Sequence, residues 1–256
     1  MVRLDKLLFE RGLVDSREKA QALIMAGQVF VEGRRVDKPG TRLKGDEKIE
    51  VLELPRYVSR GGDKLEGALR RFGIDPSGKR VLDVGSSTGG FTDCLLQHGA
   101  EKVYAVDVGR AQMDFRLRED PRVVLYEKTD ARDLTDNHVP EKVDLITIDV
   151  SFISLTKVLP SVVRFLKEDG LILALVKPQF ELCPKKVKKG IVRDREHRKE
   201  AVLKVASSLR ELGFNVLGVV KSFPRGSKGN EEFFLLAGRE GMPVELERGL
   251  ERALDE

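Results

Sequence analysis

Two charged side chains close two apolar runs. Asp144-Leu-Ile-Thr-Ile-Asp149 ends on a carboxylate, and Gly170-Leu-Ile-Leu-Ala-Leu-Val-Lys177 ends on an amine. A charge placed there is costly to bury unless it is paired. Two uses fit: a structural ion pair capping a sheet edge, or an acid–base couple whose amine takes a proton while the carboxylate holds it in place. Desolvation and a second cation such as Lys64 favour the neutral amine that a base must be, whereas Asp149 favours the ammonium. The third feature is a glycine loop, Gly85-Ser86-Ser87-Thr88-Gly89-Gly90, entered through Val81-Leu-Asp83-Val84 and left through Phe91. Asp107-Val108 follows the next apolar segment, and Thr129-Asp130-Ala131 the one after. An acidic group at such a place accepts hydrogen bonds from the two hydroxyls of a bound ribose.

Positioning these groups takes an α/β scaffold. From Lys79 the chain alternates short apolar strands (81–84, 102–106, 122–126, 143–149, 171–177, 215–221, 232–237) with helical stretches (91–98, 154–167, 195–212). That order predicts an open, mostly parallel sheet with helices on both faces and its ligand crevice off the carboxyl ends of the strands. Ser87 stands where a dinucleotide fingerprint needs its second glycine, which counts against a nicotinamide cofactor without removing it. The chain has 256 residues, 41% hydrophobic and 34% charged, enough for one large domain or two. Cys94 and Cys183 are far apart, and His98, His138 and His197 are scattered, so neither a disulfide frame nor a metal cluster is expected. The charged start Met1-Val-Arg-Leu-Asp-Lys does not resemble a signal peptide, and no apolar run nears the ~20 residues of a membrane helix. A cytoplasmic protein is expected.

The first 50 or so residues form a different unit. Leu4, Leu7 and Leu8 predict one helix over 3–12; Ala20, Leu23 and Ile24 predict another over 17–26, capped by Ser16. Residues 28–36 read as strand, glycine turn, strand, and 46–54 as a last strand. Over 1–55 there are 11 Lys/Arg against 10 Asp/Glu, so placement and not excess charge matters here. Basic density rises later, with 7 Lys/Arg against 3 acidic residues over 56–80 and 8 against 3 over 177–198.

Resemblance sharpens this picture. RLDKLLFERGLVDSREKAQALIMAGQVFVEGRRVDKPGTRL resembles the S4 RNA-binding domain, with Glu32 in place of the commoner Asn. That implies recognition of structured RNA by shape and phosphate contact through Arg3, Lys6, Arg11, Arg17 and Lys19, with Arg56 and Arg60 close behind. Gly85-x-x-x-Gly89 preceded by Asp83 resembles the first motif of S-adenosylmethionine-dependent methyltransferases, which assigns Asp83, the loop Gly85, Ser86, Ser87, Thr88, Gly89, Gly90 and Phe91, then Asp107, Val108, Asp130, Ala131 and Asp149, to S-adenosyl-L-methionine. YVSRGGDKLEGAL, DLITIDVSFISL, LVKPQFE and KGIVRD, in this order, resemble the TlyA family, S4-bearing relatives of the FtsJ-type ribose 2′-O-methyltransferases. The resemblance implies a Rossmann-like methyltransferase domain over 63–256, an S4-like domain over 1–54 and a linker over 55–62. It implies methylation of ribosomal RNA, at cytidine, in 16S RNA, 23S RNA or both, by a Lys64, Asp149, Lys177, Glu232 tetrad with no metal. Glu231 is the alternative fourth member. The basic loop carrying Lys185, Lys188, Lys189 and Arg193 then reads as a phosphate track. Two other readings stay open: the haemolytic activity attached to the family's name, and an RNA-binding protein with an inactive methyltransferase fold.

Overall fold

In the computed structural model, which describes residues 1–52 and 55–256, the chain divides into two compact units, Met1–Arg56 and Tyr57–Glu256. The first contains β1 (Val2–Arg3), α1 (Leu4–Glu10), α2 (Arg17–Met25), β2 (Val29–Val31), β3 (Arg34–Val36), β4 (Arg42–Leu43) and β5 (Ile49–Val51). Strands β3, β2 and β5 make one antiparallel sheet, and β1 pairs with β4. The leucines and alanine that predicted the helices form the core, with Leu4, Leu8, Ala20 and Ile24 wholly buried. Ser16 caps α2, its side chain accepting from Lys19 N. The last strand is shorter than 46–54, and Glu53 and Leu54 lie outside the described residues.

The second unit is built on a seven-stranded sheet. Its elements are α3 (Arg60–Phe72), β6 (Arg80–Val84), α4 (Gly90–Gln97), β7 (Lys102–Val106), α5 (Phe115–Arg118), β8 (Val123–Tyr126), β9 (Val143–Ile148), α6 (Leu155–Val162), β10 (Leu166–Val176), α7 (Pro178–Glu181), α8 (Arg195–Glu211), β11 (Asn215–Lys221), β12 (Phe233–Gly238) and α9 (Leu246–Asp255). The strand order is β11-β12-β10-β9-β6-β7-β8, and β12 runs antiparallel to both its neighbours while the remaining pairs are parallel. The chain winds outward from β6 to β8, then returns to place β9 beside β6. The crevice at that reversal, off the strand ends, is the ligand position of doubly wound folds. One apolar layer packs α6, α8 and α9 on one face of the sheet, and a second packs α3 and α4 on the other.

Two expectations need correction. The helix expected over 154–167 ends at Val162, and after a 3-10 turn β10 begins at Leu166. The linker expected to reach residue 62 ends at Ser59, whose hydroxyl caps α3 by accepting from Gly61 N; Arg60, Gly61 and Gly62 are helical. The glycines signal close approach here, not a flexible joint. A Cβ on Gly62 would lie 2.2 Å from the Tyr57 ring, and one on Gly90 would lie 2.2 Å from Ser59 Oγ. The starts of α3 and α4 are thereby packed together beside the crevice.

Candidate active site

The glycine loop leaves β6 at Gly85, whose φ of 86° suits glycine. A Cβ there would stand 2.6 Å from the carbonyl oxygen of Asp149, so the loop and the end of β9 touch backbone to backbone. Asp107, at the tip of β7, accepts from Ser87 N at 2.8 Å and from Gly109 N at 2.6 Å, and so ties both flanking loops to one carboxylate. Ser86 Oγ is buried with no hydrogen-bond partner among the described residues.

Two cavities meet at this point. The larger, about 540 Å³, is lined by Asp107, Val108, Gly109, Asp130, Ala131, Arg132 and Ile153, among others. The smaller, about 360 Å³, is lined by Ser59, Arg60, Lys64, Ser86, Thr88, Gly90, Phe91, Lys177, Gln179, Phe180 and Glu232, among others. Gly85, Ser87, Asp149, Ser151 and Phe152 line both. A cradle open to backbone approach, an unpartnered buried hydroxyl and a carboxylate at a strand tip fit a nucleoside-bearing ligand.

The four residues expected to act together do line one cavity, as two ion pairs. Lys177 Nζ lies 2.6 Å from Asp149 Oδ1, and Lys64 Nζ lies 2.6 Å from Glu232 Oε2. All four side chains are largely removed from water, with relative exposures of 11% for each lysine, 21% for Asp149 and 2% for Glu232. Gly226 leaves room for the Glu232 carboxylate, which a Cβ there would strike at 2.0 Å. Glu231 meets other partners, Arg198, Lys221 at 3.1 Å and Arg225 at 3.1 Å. The neighbouring glutamates meet different partners, and Glu232 is the one lining the cavity. Burial pushes the Lys221 amine below its ordinary value, with Arg225 and Arg198 acting in the same direction.

Asp83 is placed elsewhere than expected. It is wholly buried, lines neither cavity, and accepts from Thr92 Oγ1 at 2.7 Å and Thr147 Oγ1 at 2.9 Å. Alternation along β6 puts Leu82 and Val84 in one apolar layer and turns Asp83 towards the α4 side. Burial pushes its pKa up to about 7, against the two threonine hydrogen bonds. Its place is beneath the glycine loop, joining β6, β9 and α4. Gly89 also lines neither cavity; its φ is 95°, and a Cβ would strike Leu117 at 2.3 Å. Asp130 does line the larger cavity, but Arg132 holds its carboxylate at 2.6 Å and keeps its pKa below the usual range.

The basic residues divide into tied and untied groups. In the first unit, Arg3 and Arg17 both bond the wholly buried Asp5, at 2.9 and 3.3 Å, and Gln21 adds a third donor. The Arg3 hydrogen bond is the main reason this carboxyl stays far below the usual range. Arg11 donates to the carbonyls of Glu47 and Gly45, Lys6 pairs with Glu10, and Lys19 pairs with Asp15. Arg56 has interactions of its own. In the second unit Arg60 lines the smaller cavity, and Lys185, Lys188, Lys189 and Arg193 are exposed on the loop before α8. Asn230 pins that loop to the segment before Glu232, donating to Gly190 O at 2.8 Å and accepting from Val192 N at 3.1 Å.

Several contributors escaped the sequence reading. Glu181 is buried at the start of α6, accepting from Ser154 Oγ and from Leu155 N, a favourable place for an anion. Phe152 is 90% exposed with φ 65° and lies against Phe180, ring centroids 5.0 Å apart. A bulky side chain in the left-handed region is strained, and its one sequence signal is its place three residues after Asp149. Ser151 donates nothing to the helix cap but accepts from Lys177 Nζ at 2.9 Å.

Fold and cavities together define the class, a Rossmann-like methyltransferase. The model of the FtsJ-like methyltransferase family matches residues 57–239, and the S4 domain model matches residues 2–49. The chain is 44% identical over 255 residues to the 16S/23S rRNA (cytidine-2′-O)-methyltransferase TlyA of Mycobacterium tuberculosis, spanning 98% of this chain and 95% of that protein. It is 43% identical over 234 residues to Hemolysin A of Brachyspira hyodysenteriae, spanning 91% and 98%. A solved structure from Streptococcus thermophilus, described as a haemolysin, matches with a TM-score of 0.76 at 37% identity, covering 99% of this chain and 94% of that one. The chain belongs to the FtsJ-like methyltransferase family, in the TlyA group that carries an S4 domain at its start. Among the described residues no helix is long and apolar enough to cross a membrane, and no cluster of His, Cys, Asp and Glu is arranged to hold a metal.

Proposed function

We propose that this enzyme methylates the ribose 2′-hydroxyl of a cytidine in ribosomal RNA, with S-adenosyl-L-methionine as donor, in the cytoplasm where ribosomal subunits are found. The carrying observation is that two lysine–carboxylate pairs face one cavity, which adjoins a second cavity with Asp107 at a strand tip. Bound there, the donor supplies an electrophilic methyl group on a sulfonium. Asp107 would accept from its ribose, Asp130 and Ala131 would flank its base, and the backbone from Gly85 to Thr88 would take its amino-acid end. A sugar hydroxyl is a weak nucleophile until its proton leaves. Lys177 Nζ would take that proton as the oxygen bonds to the methyl carbon and the carbon–sulfur bond breaks, its electron pair staying on a neutral sulfur, and Asp149 would hold the resulting ammonium. Lys64, neutralised by Glu232, keeps N–H groups free to donate to sugar oxygens of the substrate. The S4 unit and the exposed lysines before α8 supply phosphate contacts to structured RNA.

The test is transfer of labelled methyl from S-adenosyl-L-methionine to 30S and 50S particles, with mass mapping of the product nucleotide. The expected product is a 2′-O-methylcytidine. Lys177→Ala should bind the donor as tightly as the parent by calorimetry yet lose at least about 10²-fold in transfer, the lower range for a missing general base. Full turnover by that variant, or a methyl group found on a base, sinks the assignment.

A further inference from the structure

We infer that Ser151 is a positioning residue for the base, aiming the Lys177 lone pair at the substrate hydroxyl. The inference rests on the ribose-methylation reading above and concerns how the amine is held. Lys177 Nζ is 2.6 Å from Asp149 Oδ1, but that oxygen lacks an aligned hydrogen bond; the aligned bond from Nζ goes to Ser151 Oγ at 2.9 Å. Among the described residues this is the only side-chain hydrogen bond of Ser151. The serine has no part in starting α6, where Ser154 and Glu181 satisfy the first N–H groups. It stands two residues past Asp149 and lines both cavities, on the path between methyl donor and sugar.

Stereochemistry gives this contact its consequence. A neutral primary amine has two N–H bonds and one lone pair in a tetrahedral arrangement. With a single acceptor it still turns about the N–H···O axis, and the lone pair sweeps a cone. With one N–H donated to Ser151 Oγ, the Asp149 carboxylate 2.6 Å from Nζ limits the turn about that axis by its charge, and the lone pair has one direction left. Asp149 stabilises charge, and Ser151 sets angle. The serine itself neither gains nor loses a proton: the hydroxyl proton of the sugar goes to Nζ. Lysine carries about 2 kcal/mol of rotamer freedom on its flexible stem, so a second anchor point matters more here than it would for a rigid imidazole.

The experiment uses the full chain with ribosomal subunits and S-adenosyl-L-methionine, comparing the parent, Ser151→Ala and Ser151→Thr. Misplacement of a reacting group by about 1 Å costs on the order of 10²-fold, so Ser151→Ala should lower kcat about ten- to hundredfold. KM for both substrates and the calorimetric affinity for the donor should stay within about twofold, since the loss falls on the transition state. Ser151→Thr keeps the hydroxyl and should recover kcat to within about threefold of the parent. Unchanged kcat in the alanine variant overturns the inference. So does equal loss in the alanine and threonine variants, or a fall in donor affinity matching the fall in kcat, each of which marks a role in cavity shape. If the parent itself makes no 2′-O-methyl product, the reading of the site fails and this inference with it.

Discussion

Replacing Glu232 by glutamine leaves Lys64 facing an uncharged amide across 2.6 Å, in a site where the carboxylate is 2% and the amine 11% exposed. At an effective dielectric near 20, two unit charges at that separation attract by about 6 kcal/mol. Desolvation of both groups consumes most of this, and breaking a buried pair from one side costs about 3–5 kcal/mol because the survivor is left uncompensated. Glu232→Gln and Lys64→Met should each destabilise the chain by about 3 kcal/mol in urea unfolding. The double variant should cost far less than their sum, since neither charge is then stranded, giving a coupling of about 2–3 kcal/mol. Methyl transfer should fall in all three, because each lacks at least one member of the pair and the stability regained by the double variant does not restore it. Single-variant losses that add within about 0.5 kcal/mol, the range for independent sites, would mean that the two charges do not meet in the folded protein, and the tetrad reading would lose one of its pairs.

Asp83 predicts a pH dependence. Its folded-state pKa of about 7 lies above the ordinary 3.8, so between those values the unfolded chain releases a proton that the folded chain keeps. Stability therefore falls as pH rises through this window and levels off above about 7. Asp83→Asn removes the titration, and from pH 5 to pH 8 the parent should lose about 3 kcal/mol more than the variant, at about 1.4 kcal/mol per unit; equal losses refute the burial argument. The basic residues predict a contrast in RNA binding. Lys188→Glu with Lys189→Glu should flatten the slope of log affinity against log salt by about 0.7–0.9 per lost phosphate contact. Arg11→Ala should leave it unchanged, because that guanidinium is already held by the carbonyls of Glu47 and Gly45. Equal slopes for both variants would end the distinction between tied and untied cations.

What the sequence disclosed and what it hid follow from the range over which each residue acts. Asp149 and Lys177 were legible because an apolar run must end somewhere, and in parallel strands the end that matters is the carboxyl end. The parallel sheet with helices on both faces followed from the alternation of strands and helices, whereas the reversal between β6 and β9 is seen only in the fold. Asp83 was misread because a carboxylate inside an apolar run looks alike whether it meets a ligand or a pair of threonine hydroxyls. Thr92 and Thr147 reach it from α4 and from β9, 9 and 64 residues away along the chain. The first unit repeats the lesson. Arg3 and Arg17 look like free cations in a list of residues, yet one buried carboxylate, Asp5, sets the direction of both. Ser151 was invisible for the opposite reason, since a serine after a strand is commonplace and its meaning depends on a lysine 26 residues later. Chemistry-bearing residue types mark where a site is. The groups that aim them belong to other segments, and only the fold brings the two together.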